Sequence, residues 1–139
     1  MKTLLPKLIY GLLGLLFSSA LVGQVDAPPR FYSEACEEIS NPQERMECAQ
    51  QAMLSRLYKN LKKPEEAISA NFNGNVVLSF WINAKGFVER VQVLTDPGYG
   101  CAEAAIFVLE EYLYAWVPAM VNGEPTPIQM TLPIRFWGF

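Results

Sequence analysis

With 139 residues, the chain is long enough for one domain and short for two. It contains no histidine, which removes the commonest general base and the commonest metal ligand. Apolar residues make up 51% and the formal net charge is −3. An acidic chain without a basic run is a poor partner for nucleic acid or an anionic lipid surface.

Lys2 and Lys7 precede or enter an uncharged apolar run from Leu8 to Gly23, which contains the small residues Ser18, Ser19 and Ala20. This is the order of a secretory signal peptide, with cleavage expected after Ala20 or Gly23. The run has 16 residues, against the ~20 a membrane-spanning helix needs. Retention of residues 1–23 as a membrane anchor is the alternative. Gln24 follows Gly23, where bacterial lipid attachment would need a cysteine, so no lipoprotein is expected. Without the two leader lysines, the 11 basic residues become 9 against 14 acidic ones, a net charge of −5.

Export would place Cys36, Cys48 and Cys101 in an oxidising compartment, where disulfides persist. Three cysteines allow one internal bridge and leave one thiol. Cys36 and Cys48 lie close in sequence, either side of a predicted helix start, and are the favoured pair. Cys101 can replace either partner, and sequence alone does not decide. A bridge closing so short a loop would stabilise by roughly 2–3 kcal/mol.

Residues 24–40 include Pro28, Pro29 and many acidic or small residues, and read as an exposed lead-in. The domain proper is expected over 41–139. Asn41 can cap a helix, Pro42 fits its first position and Glu44 can reach back to the cap. Met46, Ala49, Met53, Leu54, Leu57, Tyr58 and Leu61 then recur at helical spacing, predicting an amphipathic helix of about five turns. The methionines read as core filler rather than a binding surface. Pro64 ends the helix. Glu65 to Ala70 allows one short turn, and Asn71 to Asn75 is a turn cluster.

Val76 to Ile82 is the most apolar strand and the expected centre of a sheet. Asn83-Ala84-Lys85-Gly86 predicts a hairpin turn. Phe87 to Leu94 returns as a strand with Val91 and Val93 inward and Arg90 and Gln92 outward. Asp96 to Gly100 reads as a strand-to-helix turn, because its glycine spacing matches no phosphate-binding fingerprint. Cys101 to Tyr114 predicts a second helix, with Cys101, Ala105, Val108, Leu109 and Tyr112 inward. Trp116 to Ala119 closes it, and Val121 to Pro125 turns the chain into its last stretch.

In that last stretch Ile128, Met130, Leu132, Ile134 and Phe136 alternate with Gln129, Thr131, Pro133 and Arg135. Period two argues for a half-buried strand. Pro133 has no N–H for a ladder, which places the strand at a sheet edge. The N–H groups of Gln129, Thr131 and Arg135 share its side and are expected to be open. An open edge can accept an extended peptide, but the strand taken alone favours the plainer reading, that Pro133 is there to block pairing. The expected architecture is α+β: a small three-stranded antiparallel or mixed sheet, two main helices on one face, and the final strand at the edge.

No catalytic residue emerges. A cysteine nucleophile would lack a histidine partner, and three scattered cysteines do not make a zinc site. Glu65–Glu66 and Glu110–Glu111 project about 100° apart on a helix, so neither pair converges as an acid–base dyad. No metal, cofactor or enzymatic activity is expected.

Several stretches, in order, resemble the C-terminal domain of the TonB energy-transducer family. Leu57 to Ala67 resembles that group's helix and the Tyr-Pro-x-x-Ala step after it, with Lys63 in place of the usual aromatic. Gly74-Asn75-Val76, Phe80, Ile82, Gly86 and Val88 follow its first hairpin. Gly98 to Ala105 resembles its Gly-x-Gly-Cys-x-Glu-Ala helix start. Trp116, Pro118, Ala119, Asn122-Gly123 and Leu132-Pro133-Ile134-x-Phe136 resemble its ending. The resemblance runs from about Arg45 to Phe136.

It implies a periplasmic interaction module whose partner is an outer-membrane TonB-dependent transporter or a related envelope protein. In the family a short transporter segment, the TonB box, adds alongside the last strand. That coincides with the edge read from Gln129, Thr131, Pro133 and Arg135. An inner-membrane proton-channel complex is implied only if residues 1–23 are retained. The 17 residues of the lead-in reach at most ~60 Å, a short spacer for a transducer, so a stand-alone secreted domain is expected. A homodimer joined through the open edge is a further alternative.

Overall fold

The computed structural model describes residues 25–137. The signal peptide or anchor expected over 1–23 lies outside the described residues.

The central strand, β3 (Gly74–Ile82), buries Val76, Leu78, Phe80 and Ile82 on one face, and Ser79 on the other. It pairs antiparallel with β4 (Val88–Thr95) on one flank and with β8 (Ile128–Phe136) on the other, giving the order β4-β3-β8. All of these pairings are antiparallel, and β8 is an edge strand. The turn between β3 and β4 is closed by Asn83, whose Oδ1 accepts from the amides of Lys85 and Phe87. Gly86 completes it at φ +86°, and a Cβ there would run into the carbonyl oxygen of Trp116. The amide of Trp116 in turn donates to the carbonyl of Gly86 at 2.8 Å.

Helix α2 (Pro42–Asn60) starts where Asn41 Oδ1 accepts from the amides of Gln43 and Glu44, with Pro42 at its first position. Helix α4 (Cys101–Tyr112) starts at Gly100, φ +74°. Leu57 of α2 and Ala105, Val108 and Leu109 of α4 join the buried residues of β3 and β8 in one core, so both helices cover the same sheet face. Between them, the short helix α3 (Glu65–Ser69) buries Ala67. The opposite face carries no helix among the described residues, and there Arg90 lies 5.9 Å from the ring centre of Trp81.

Three expectations are corrected. The stretch expected as an exposed lead-in folds onto the domain. It forms β1 (Val25–Ala27), β2 (Arg30–Phe31) and α1 (Glu34–Glu37), and buries Phe31 and Cys36. Strand β4 does not bury both of the valines expected inward. Arg90 takes φ +53° and the β3–β4 register shifts twice, yet Val93 still pairs with the core residue Leu78 and keeps to the core side. Val91 packs against the core, while Val93, on a rim strand, is 38% exposed. The second helix ends at Tyr112, and Trp116–Val117 is a strand, β5, paired with β2.

The chain then runs through β6 (Ala119–Val121) and β7 (Glu124–Thr126), turning at Asn122-Gly123; β1 pairs with β6. Trp116 ties these pieces to the main sheet. Its ring meets Phe31 edge-on at 5.7 Å and Phe80 at 5.9 Å, and its Nε1 donates to the carbonyl of Leu113.

Cys36 and Cys48 form a disulfide that joins α1 to α2. Cys101 is the free thiol, fully buried at the start of α4. Burial raises its pKa above the ordinary 9.0, outweighing the opposing pull of Lys63; Asp96 and Glu103 push the same way as burial.

Two measurements test these contacts. Gly86→Ala should lower stability by about 2 kcal/mol or more, read from the urea midpoint, because the substitution combines a left-handed φ with a backbone clash. The unfolded thiol of Cys101 ionises first as pH rises past 9.0. Its contribution to stability is therefore intact below that value and lost as pH climbs toward the higher folded pKa. Cys101→Ala should flatten the alkaline decline in urea midpoint between pH 8 and pH 10.5.

Candidate functional site

Strand β8 pairs with β3 over nine consecutive positions, from Gly74 opposite Phe136 to Ile82 opposite Ile128, without a bulge. Its even-numbered side chains turn toward the core, with Leu132, Ile134 and Phe136 buried. Gln129, Thr131, Pro133 and Arg135 alternate with them and are exposed. The backbone alternates as well. The amide of Arg135 donates to the hydroxyl of Tyr58 at 3.3 Å, so it points away from β3. In an antiparallel strand every second residue faces the same flank, so the amides of Gln129 and Thr131 point outward too. Pro133, opposite Val77, falls in this outward set and removes no bond from the β3–β8 ladder.

Each of the four residues has a distinct setting. Gln129 Nε2 donates to Ser79 Oγ at 2.7 Å across the helix-free face. Thr131 sits opposite Ser79. Pro133 and Arg135 border a recess whose other walls are Leu54 and Tyr58 of α2 and Trp137 just beyond the strand. Trp137 is 59% exposed, with its Nε1 donating to Asn75 Oδ1.

Beside Met130 and Leu132 lies a cavity of about 150 Å³. Its near wall is the strand, including Thr131, and its far wall is Phe31 with Met46, Ala49 and Met53 of α2. Phe80 and Trp116 also line it. Arg30 also reaches this cavity, held by an ion pair from its Nη2 to Glu37 Oε2 at 2.8 Å. Its Nη1 and Glu37 Oε1 are buried without a hydrogen-bond partner.

The sequence reading missed Leu54, Tyr58 and Phe31. Helical spacing assigns Leu54 and Tyr58 to the packed face, yet they are 43% and 39% exposed because β8 is the last strand and nothing continues the sheet above them. Phe31 lies in a segment with no periodicity to mark it. Among the described residues, no group of three or more Cys, Asp and Glu side chains could hold a metal ion.

Fold and edge together define a small α+β domain with one regular rim strand backed by a helix. Residues 59–137 match the family model described as the Gram-negative bacterial TonB protein C-terminal. The chain belongs to that family. The match begins in the last turn of α2, so β1, β2, α1 and most of α2 precede it. Two solution structures of the Helicobacter pylori TonB C-terminal domain are similar in fold. One aligns at TM-score 0.50 and 17% identity, covering 74% of this chain and 88% of that one. The other aligns at TM-score 0.48 and 19% identity, covering 63% and 90%. No curated protein matches.

The rim geometry is open to amide hydrogen exchange followed by NMR. Gln129 and Thr131 should exchange quickly and Leu132 and Ile134 slowly. Tyr58→Phe should speed exchange at Arg135 by about five-fold, the equivalent of one ordinary hydrogen bond, and leave Leu132 unchanged.

Proposed function

We propose that this protein is a periplasmic interaction module that takes up an extended, TonB-box-like peptide of an outer-membrane transporter by strand addition to β8. The observation that carries this reading is the outward row of main-chain groups at Gln129 and Thr131 on a bulge-free edge strand. Such a row offers hydrogen bonds to any extended backbone laid beside it. Membership of the TonB C-terminal family supports the class of partner. The Cys36–Cys48 bridge supports an exported location, since disulfides persist in oxidising compartments.

Tyr58 limits the length of the contact. Its hydroxyl already holds the Arg135 amide, so an incoming strand pairs first along Gln129 and Thr131. It reaches Arg135 only by displacing the tyrosine.

The test uses Thr131→Pro. This residue's amide is in the outward set, so proline there spares the β3–β8 ladder and the fold should survive, as it does with Pro133. Affinity for a synthetic TonB-box heptapeptide, measured by fluorescence anisotropy, should fall by about ten-fold or more, because one backbone bond is lost and the ring blocks its neighbour. Unchanged affinity would remove the edge from the mechanism. A solution mass that doubles with concentration, and reverts in the same variant, would assign the edge to a second copy of this chain.

A further inference from the structure

We infer that the peptide bound at β8 carries a large apolar side chain that enters the cavity between α2 and β8, and that this specificity is supplied by the chain's own N-terminal elements. The inference rests on the strand-addition reading and names what that edge selects.

Side chains of an added strand alternate between the two faces of the sheet. On the helix-free face they meet solvent and the exposed side chains of Gln129, Thr131 and Pro133. On the other face they point where Met130 and Leu132 point, under the sheet and toward α2. The cavity borders the strand at Met130, Thr131 and Leu132, so it lies beside the outward amides. An extended strand is therefore read on one face only, at the step level with Met130 and Leu132.

The chemistry of the walls fixes the guest. Phe31, Met46, Ala49, Met53 and Leu132 present carbon and thioether sulfur. A charged side chain would lose its hydration against these apolar walls. The one charged wall group, Arg30, has its charge paired by Glu37 through Nη2, and its Nη1 is a buried wall donor left without a partner. A volume of about 150 Å³ has room for a roughly benzene-sized group. The fit is to a leucine, methionine or phenylalanine side chain, and methionine walls adapt to such guests.

The far wall comes from residues that precede the family match. Met46 and Ala49 flank Cys48, whose bridge to Cys36 fixes this end of α2 against α1. The family edge supplies the backbone contact, and the N-terminal elements supply the side-chain pocket.

The probe is a displayed random heptapeptide library panned against the exported protein, followed by affinities of the selected peptides. Selected sequences should share one position rich in Leu, Met or Phe, and replacing that residue with Asp should weaken binding by about ten-fold or more. Met46→Glu, at a half-buried site, should reverse the preference toward Lys. Met46→Ala should shift it toward larger side chains, and keeps the test decisive if the glutamate variant unfolds. Edge-dependent binding, abolished by Thr131→Pro but with no apolar position or no response to Met46 variants, overturns the pocket and leaves strand addition standing. Peptides that bind equally well to Thr131→Pro, or no enrichment at all, overturn strand addition itself.

Discussion

Nine uninterrupted backbone pairs between β3 and β8 set the terms for everything else in this molecule. A strand that keeps register without a bulge keeps its alternation, and alternation has two outputs at once. It sends Leu132, Ile134 and Phe136 into the core beneath the sheet. It also turns the backbone of the intervening residues outward. The partner on the other flank of β3 shows what happens otherwise. In β4 the register slips twice and Arg90 takes positive φ. The two rims of one sheet thus differ: one is straight and repetitive, the other kinked. Bulges make an edge a poor template for further pairing, which leaves β8 as the better of the two.

The long elements were legible because their patterns are long. The apolar run of β3, the period-two alternation of β8, an asparagine–proline helix start at Asn41-Pro42, and Gly86 at a tight turn each signal locally. Each agrees with the packing that surrounds it. The short elements gave no such signal. Strands of two or three residues, such as Arg30–Phe31 and Trp116–Val117, are too brief to show a period. They exist because a distant segment pairs with them. The same holds for the bulge at Arg90, which arises from how two strands meet rather than from either alone.

The candidate site divides along the same line. Gln129, Thr131, Pro133 and Arg135 could be picked out because proline marks a flank of a strand. The helix side of the groove could not. Leu54 and Tyr58 look like core residues by spacing, and only the ending of the sheet at β8 exposes them. The cavity depends on Phe31, brought in by a segment whose prolines and acids suggested no fold. Its position follows from Trp116, which holds both Phe31 and Phe80 and binds the hairpin turn at Gly86.

The burial of Cys101 bears on how the bridge between Cys36 and Cys48 survives once made. Thiol–disulfide exchange requires an attacking thiolate that can reach a sulfur. Cys101 is sealed beneath α4's first turn, and its ionisation is suppressed. The completed fold therefore holds no internal nucleophile able to scramble its own cross-link. Pairing errors are confined to the interval before the core closes, and afterwards the odd sulfur is a bystander.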